Sequence, residues 1–148
     1  MYIPEIPDNS LTEEIKEIVE VCQKQTSKYG KNAYHFNPPA SEEEINLWET
    51  KNDMTLPESY KDWLRFSNGS EILNWFITVY KLDMIGEYDK YVSDDLKVIG
   101  EIIGDGEFLC FSIKTKNITS VDHGKIHEYG SFKDFLRYYI PMFFDDSL

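Results

Sequence analysis

Leu56-Pro57-Glu58-Ser59-Tyr60-Lys61-Asp62-Trp63-Leu64-Arg65-Phe66-Ser67-Asn68-Gly69 reads as a short helix between a start signal and a stop signal. Pro57 falls where a first helical position needs no N–H, and its ring presets the helical φ. Tyr60, Trp63 and Leu64 follow at i, i+3 and i+4, which places three large side chains on one face. Asn68-Gly69 closes the helix, because both residues tolerate the left-handed conformation. Beyond Gly69 the period changes. Ile72-Leu73-Asn74-Trp75-Phe76-Ile77-Thr78-Val79-Tyr80 is rich in β-branched and aromatic residues and predicts one or two strands.

Upstream of this stretch the pattern is helical. Over residues 11–28, Leu11, Ile15, Ile18, Val19 and Cys22 recur at helical spacing, with Glu13, Glu14, Glu17 and Glu20 on other faces. Ser10 with Glu13 has the spacing of a capping box. Residues 29–39, with Gly30, Asn37 and a Pro pair, predict a loop. A second box, Ser41 with Glu44, starts a helix that turns Ile45 and Trp48 inward. Downstream the pattern is β. Residues 98–103 and 108–113 flank Gly104-Asp105-Gly106, and residues 118–121 and 126–129 flank Asp122-His123-Gly124-Lys125, which predicts two hairpins. Ser131 with Asp134 opens a last helix with Phe132, Phe135, Leu136 and Tyr139 inward, ending before Pro141. The expected fold is α+β: three N-terminal helices, an antiparallel meander of five to six strands, and a C-terminal helix packed on the sheet. Residues 1–148 are expected to form one domain, the usual outcome for this length.

Composition narrows the partners. The chain carries 27 Asp+Glu against 15 Lys+Arg, a formal charge of −12. The excess is spread along the chain, with 14 acids and 7 bases in residues 1–74 and 13 and 8 in the remainder. Duplex nucleic acid is held by neutralising phosphates with Lys and Arg, so this surface repels it, and it repels an anionic membrane for the same reason. A basic partner is favoured, since complementary potentials speed encounter. Two cysteines without metal-ligand spacing, no basic-then-apolar leader, and no long apolar run together predict a cytoplasmic protein.

Catalytic signatures are weak. His123 and His127 beside Asp122 are separated by a hairpin turn, and zinc needs three or four convergent ligands. Gly104-Asp105-Gly106 lacks the third glycine and following helix of a dinucleotide site. Cys22 and Cys110 sit among apolar neighbours, where a thiol stays neutral. No catalytic, cofactor-binding or metal-binding residue is therefore assigned, and no enzyme is expected. The segment 83–95 carries more information. It interleaves Asp83, Glu87, Asp89, Asp94 and Asp95 with Tyr88 and Tyr91. Tyrosines suit interfaces and carboxylates accept bidentate bonds from arginine, so these seven residues are the candidate partner-binding set. The plainer alternative is a solvated loop whose tyrosines pack back on the sheet.

Residues 56–69 resemble the signature of the SUKH superfamily, which takes in yeast cell-wall assembly regulators and many bacterial immunity proteins. The signature runs Leu-Pro, an aromatic-bearing helix, then Asn-Gly before the first strand, here Leu56, Pro57, Tyr60, Trp63, Asn68 and Gly69. The resemblance covers roughly residues 40–140, with the Ser41 helix before the signature and the hairpins and aromatic helix after it. Two positions depart from it: Ser70 stands where a second glycine is common, and Ser112 where an aspartate often follows the second hairpin strand. The resemblance implies a non-enzymatic antidote that binds and neutralises a cognate polymorphic toxin domain, with acidity favouring a basic, nuclease-type one. The alternative it leaves open is a regulatory scaffold that binds a cellular protein.

Overall fold

A computed structural model of the chain describes residues 2–103 and 106–144. The element order is α1 (Thr12–Tyr29), β1 (His35–Phe36), α2 (Glu42–Asn52), α3 (Glu58–Leu64), β2 (Ser70–Ile72), β3 (Ile77–Val79), β4 (Leu96–Ile102), β5 (Glu107–Ser112), β6 (Ile118–Asp122), β7 (Lys125–Gly130) and α4 (Phe132–Phe144). The strands form one antiparallel sheet in sequence order, from β1 at one edge to β7 at the other. The α+β meander is as expected, with α4 packed on the sheet, but it has seven strands rather than five or six. The additional strand is β1, inside the expected loop, where His35 and Phe36 pair with Glu71 and Ser70. Two residues give too little alternation to be read as a strand.

The 56–69 stretch sits at the centre of the main core. Tyr60, Trp63, Leu64 and Phe66 are fully buried, and the Trp63 ring meets Phe66 at 5.5 Å and Phe132 at 6.0 Å. Ser70, one of the departures from the family pattern, accepts the Trp63 indole N–H at 3.1 Å. A buried indole needs such a partner. Pro57 lies one position outside the helix, where its carbonyl accepts from the Lys61 N–H. The helix also ends earlier than expected, at Leu64, with Phe66 and Ser67 donating back to the Trp63 carbonyl. Gly69 alone is left-handed, at φ 99°. Asn68 is used differently: its side-chain oxygen accepts from the Leu82 N–H at 2.9 Å and ties down the chain that leaves β3.

Three other expectations are corrected. Ser10 does not cap α1, since its hydroxyl donates to the Asp62 carboxylate, while Thr12 and Asn9 close the turn between them. Glu14 lies on the inward face, buried, because Arg137 on α4 reaches it at 3.2 Å with Lys133 at 3.9 Å. Pro141 lies inside α4 rather than beyond it. A proline in the last turn forfeits one backbone bond there, and Phe143 packs on Phe76 at 5.1 Å. The Ser41–Glu44 capping box and the reciprocal Ser131–Asp134 bonds are both present. In the β6–β7 hairpin, His123 and Gly124 take φ of 51° and 85°, the geometry of a two-residue primed turn. Gly104 and Asp105, in the turn expected between β4 and β5, lie outside the described residues.

Candidate protein-binding face

Side chains alternate across a strand, so each of these strands serves two faces. On β5, Leu109 and Phe111 enter the main core under the helices, while Phe108 and Cys110 point the other way. A bulge between Val98 and Gly100 resets β4, so that Val98 joins the second face and Ile99 and Ile102 the first. Gly100 is obligatory at that bulge, because a Cβ there would meet the Thr78 carbonyl oxygen at 2.2 Å. The second face holds a small cluster, Tyr80, Leu96, Val98 and Cys110, with Met84, Tyr88, Val92, Phe108 and Val121 partly buried against it.

The strand registers line up one row of outward residues across the whole sheet. His35 is opposite Glu71, Glu71 opposite Thr78, Thr78 opposite Glu101, Glu101 opposite Phe108, Phe108 opposite Val121, and Val121 opposite Ile126. At the usual strand separation this row is about 29 Å long. Its first four positions are polar and its last three apolar.

Glu71 and Thr78 of the polar half line a cleft of about 230 Å³ together with Tyr80, Lys81 and Met84 among others. The Tyr80 hydroxyl donates to Glu101 at 2.7 Å, which orients that carboxylate. Burial and this bond push the Tyr80 phenol well above its ordinary range. Burial also raises the Glu71 carboxyl, against a smaller opposing pull from His35. Among the described residues no group donates a hydrogen bond to the Glu71 carboxylate. In the apolar half, the Phe108 ring lies nearly parallel to Tyr91, 5° between planes at 5.8 Å, with Tyr88 at 6.0 Å. Tyr91 is 59% exposed and Ile126 61%.

The segment 83–95 crosses this face as two single-turn 3-10 helices, Leu82–Met84 and Asp89–Tyr91. It divides the seven candidate residues. Tyr88 and Tyr91 join the stack on Phe108. Asp89 braces the segment internally, accepting from the Val98 N–H at 2.9 Å and pairing with Lys97 at 2.8 Å. Glu87, Asp94 and Asp95 are exposed. The Asp95 carboxyl is held below its ordinary range by the Ser93 hydroxyl and its own backbone N–H. Asp83 is 3.9 Å from Lys81 and lines a separate groove with Leu47 and Trp48 of α2. Residues of the row that sequence reasoning missed are Glu71, Thr78, Glu101, Phe108, Val121 and Ile126. Their signal is the period-2 alternation along each strand, which needs the registers before it becomes a row.

The groups weighed for chemistry are placed apart. Burial pushes the Cys22 and Cys110 thiols each up to about 12. His123 sits exposed at the hairpin tip, 2.6 Å from Asp122, whereas His127 stacks on Tyr129 at 4.3 Å. Among the described residues no group of three or more His, Cys, Asp or Glu side chains is arranged to hold a metal ion, and no helix is long and apolar enough to cross a membrane.

Comparison with known proteins fits this architecture. A protein of Bacillus subtilis (strain 168), named as uncharacterized protein YnaB, is 34% identical over 87 residues, which cover 57% of this chain. The match spans 58% of the relative's own length. The family model of the SMI1 / KNR4 family (SUKH-1) matches residues 39–142, from just before α2 into the last turn of α4, taking in the signature helix and β2 to β7. The chain therefore belongs to the SMI1 / KNR4 family (SUKH-1).

Proposed function

We propose that this protein is an immunity protein, which binds a cognate toxin domain and neutralises it by covering the toxin's working surface. The observation that carries this reading is the outer sheet face: crossed only in part by the 83–95 segment, with acids on β2 and β4 and apolar residues on β5, β6 and β7. Isolated exposed apolar residues are normal, but a contiguous apolar patch beside placed polar groups marks an interaction site. Family membership and the charge of −12 support the same reading. A basic, nucleic-acid-cleaving toxin domain fits best, because an acidic face can occupy the cleft that would otherwise hold phosphates.

The 83–95 segment contributes Tyr88 and Tyr91 to the contact, while Glu87, Asp94 and Asp95 lie beside it and steer encounter. Asp83 approaches from the α2 side, and Asp89 acts by holding the segment in place. Binding needs no cofactor, no catalysis and no nucleic acid, and takes place in the cytoplasm with residues 1–148 acting as one domain. The test is to look for a toxin domain encoded beside its gene and to co-produce the two, followed by purification and titration. Rescue of growth together with a salt-dependent 1:1 complex is the expected result. A toxin domain that kills equally well with and without this protein overturns the reading.

A further inference from the structure

We propose that two copies of this protein join edge to edge through β7, antiparallel about a two-fold axis at Ile126, so that their seven-stranded sheets run on into each other. This goes beyond the binding role proposed above and does not depend on it, because it needs only the edge strand.

The two edges of the sheet are built differently. β1 pairs through His35 and Phe36 alone, and the chain then runs into Pro38 and Pro39, which have no N–H to offer. β7 is six residues long, contains no proline, and keeps Lys125, Ile126, His127 and Glu128 exposed. The following helix leaves that edge open, since it lies on the inner face, where Tyr138 and Phe135 meet His127 and Tyr129. Asp122 and Lys125 flank the two-residue turn and exchange both ladder bonds, as such pairs do. Their neighbours in the alternation, Ile126 and Glu128, therefore turn N–H and C=O away from β6 and toward the open edge. Among the described residues no strand pairs there. A row of unpaired backbone groups is a template for one kind of ligand, another extended strand.

The side chains say whose strand it is. A two-fold axis normal to the sheet preserves its faces, so each residue meets one of the same face in the second copy. Aligning Lys125 on Lys125, or Glu128 on Glu128, sets like charges opposite each other. Aligning His127 on His127 sets Ile126 against the Glu128 carboxylate. Aligning Ile126 on Ile126 puts apolar on apolar. Glu128 then faces Gly124, and Lys125 comes against the His127, Tyr129 and Tyr138 rings of the second copy, an aromatic surface that accepts a cation. In this register the apolar row Phe108, Val121, Ile126 continues on the same face into Ile126, Val121 and Phe108 of the second copy. The acids of the row stay on β2 and β4, away from the joint. That placement limits repulsion between two chains that each carry a charge of −12.

Sedimentation equilibrium of the purified full chain reads the association. The expected result is a monomer–dimer equilibrium that tightens as salt is raised, because salt screens the repulsion between the two acidic chains. Ile126→Lys sets two ammonium groups opposite each other and should weaken the dimer by roughly tenfold or more. Thermal melts verify that this exposed substitution leaves the fold intact. Single cysteines read the register. Ile126→Cys brings two thiols together on residues whose Cα atoms lie about 5.5 Å apart, within disulfide reach, and should cross-link under mild oxidation. Glu128→Cys, opposite Gly124, should not. Cys22 and Cys110 do not compete, since both are buried with their thiols pushed up to about 12. A chain that stays monomeric up to millimolar concentration, or a dimer that Ile126→Lys leaves unchanged, overturns the joint. Equal cross-linking through Glu128→Cys overturns the register. None of these measurements involves a toxin, so the joint can fail while the immunity reading stands, and the reverse.

Discussion

The two faces of the sheet use the same strands to opposite ends. Under the helices, residues such as Trp63, Phe66, Phe111, Phe132 and Phe135 are fully buried in one continuous core with tilted and edge-on ring contacts. On the other side four residues are buried in a small cluster, the rings stacked on Phe108 are partly exposed, and two acids stand on β2 and β4. The period-2 alternation of each strand keeps these demands apart, so a residue on one face can change without disturbing the other. The difference teaches that stability resides on the helical side and that the outer face is available for recognition.

The sharpest way to break that division is a matched truncation on each side. Trp63→Ala should cost about 3–5 kcal/mol, because it opens a cavity and leaves the Ser70 hydroxyl without its indole donor. Phe108→Ala, on the partly exposed outer face, should cost about 1 kcal/mol. Chemical denaturation of the two variants side by side reads the contrast, and comparable losses would show that both faces carry the fold.

A smaller effect tests whether the outer face is held in shape by its own segment. Asp89→Asn weakens the bond to the Val98 N–H and removes the ion pair with Lys97. The loss should be about 1 kcal/mol, with faster amide exchange confined to residues 83–95. Exchange that rises uniformly through the molecule would show that the segment is no separate unit.

The smallest effect is one of sign. The Glu71 carboxyl is raised by burial, so the native state holds that proton more tightly than the unfolded chain does. The stability tied to protonation is present below the ordinary carboxylate range and is lost as pH rises through the raised value. Glu71→Gln should therefore be slightly more stable than the native protein at pH 7, by about 0.5 kcal/mol or less for a half-exposed group. The gap should close below a pH of about 4. Melting curves at both pH values read it, and a variant less stable at pH 7 would mean that Glu71 supports the fold.

Much of the helical side was legible in the sequence because its signals are local. The Ser41 and Ser131 boxes, the Tyr60–Trp63–Leu64 face and the Asn68-Gly69 pair each lie within a few residues. Errors arose where a distant partner intervened: Asp62 drew Ser10 away from the α1 cap, Arg137 made a buried Glu14 tolerable, and Phe76 gave α4 a reason to continue past Pro141. The outer face was least legible. Residues 83–95 stood out by composition, but Glu71, Glu101, Phe108 and Ile126 are ordinary strand residues taken singly. They become neighbours only through five registers, two of them shifted, between Val98 and Gly100 and between Ile118 and Thr119.

The most direct test of recognition by the outer face is amide hydrogen exchange of this protein alone and in complex with the partner that co-purifies with it. Protection is predicted on β3 to β6 and on residues 83–95, with α1 and α4 unchanged. Protection concentrated on α1, α2 or α4 instead, with β3 to β6 exchanging as in the free protein, would contradict the account.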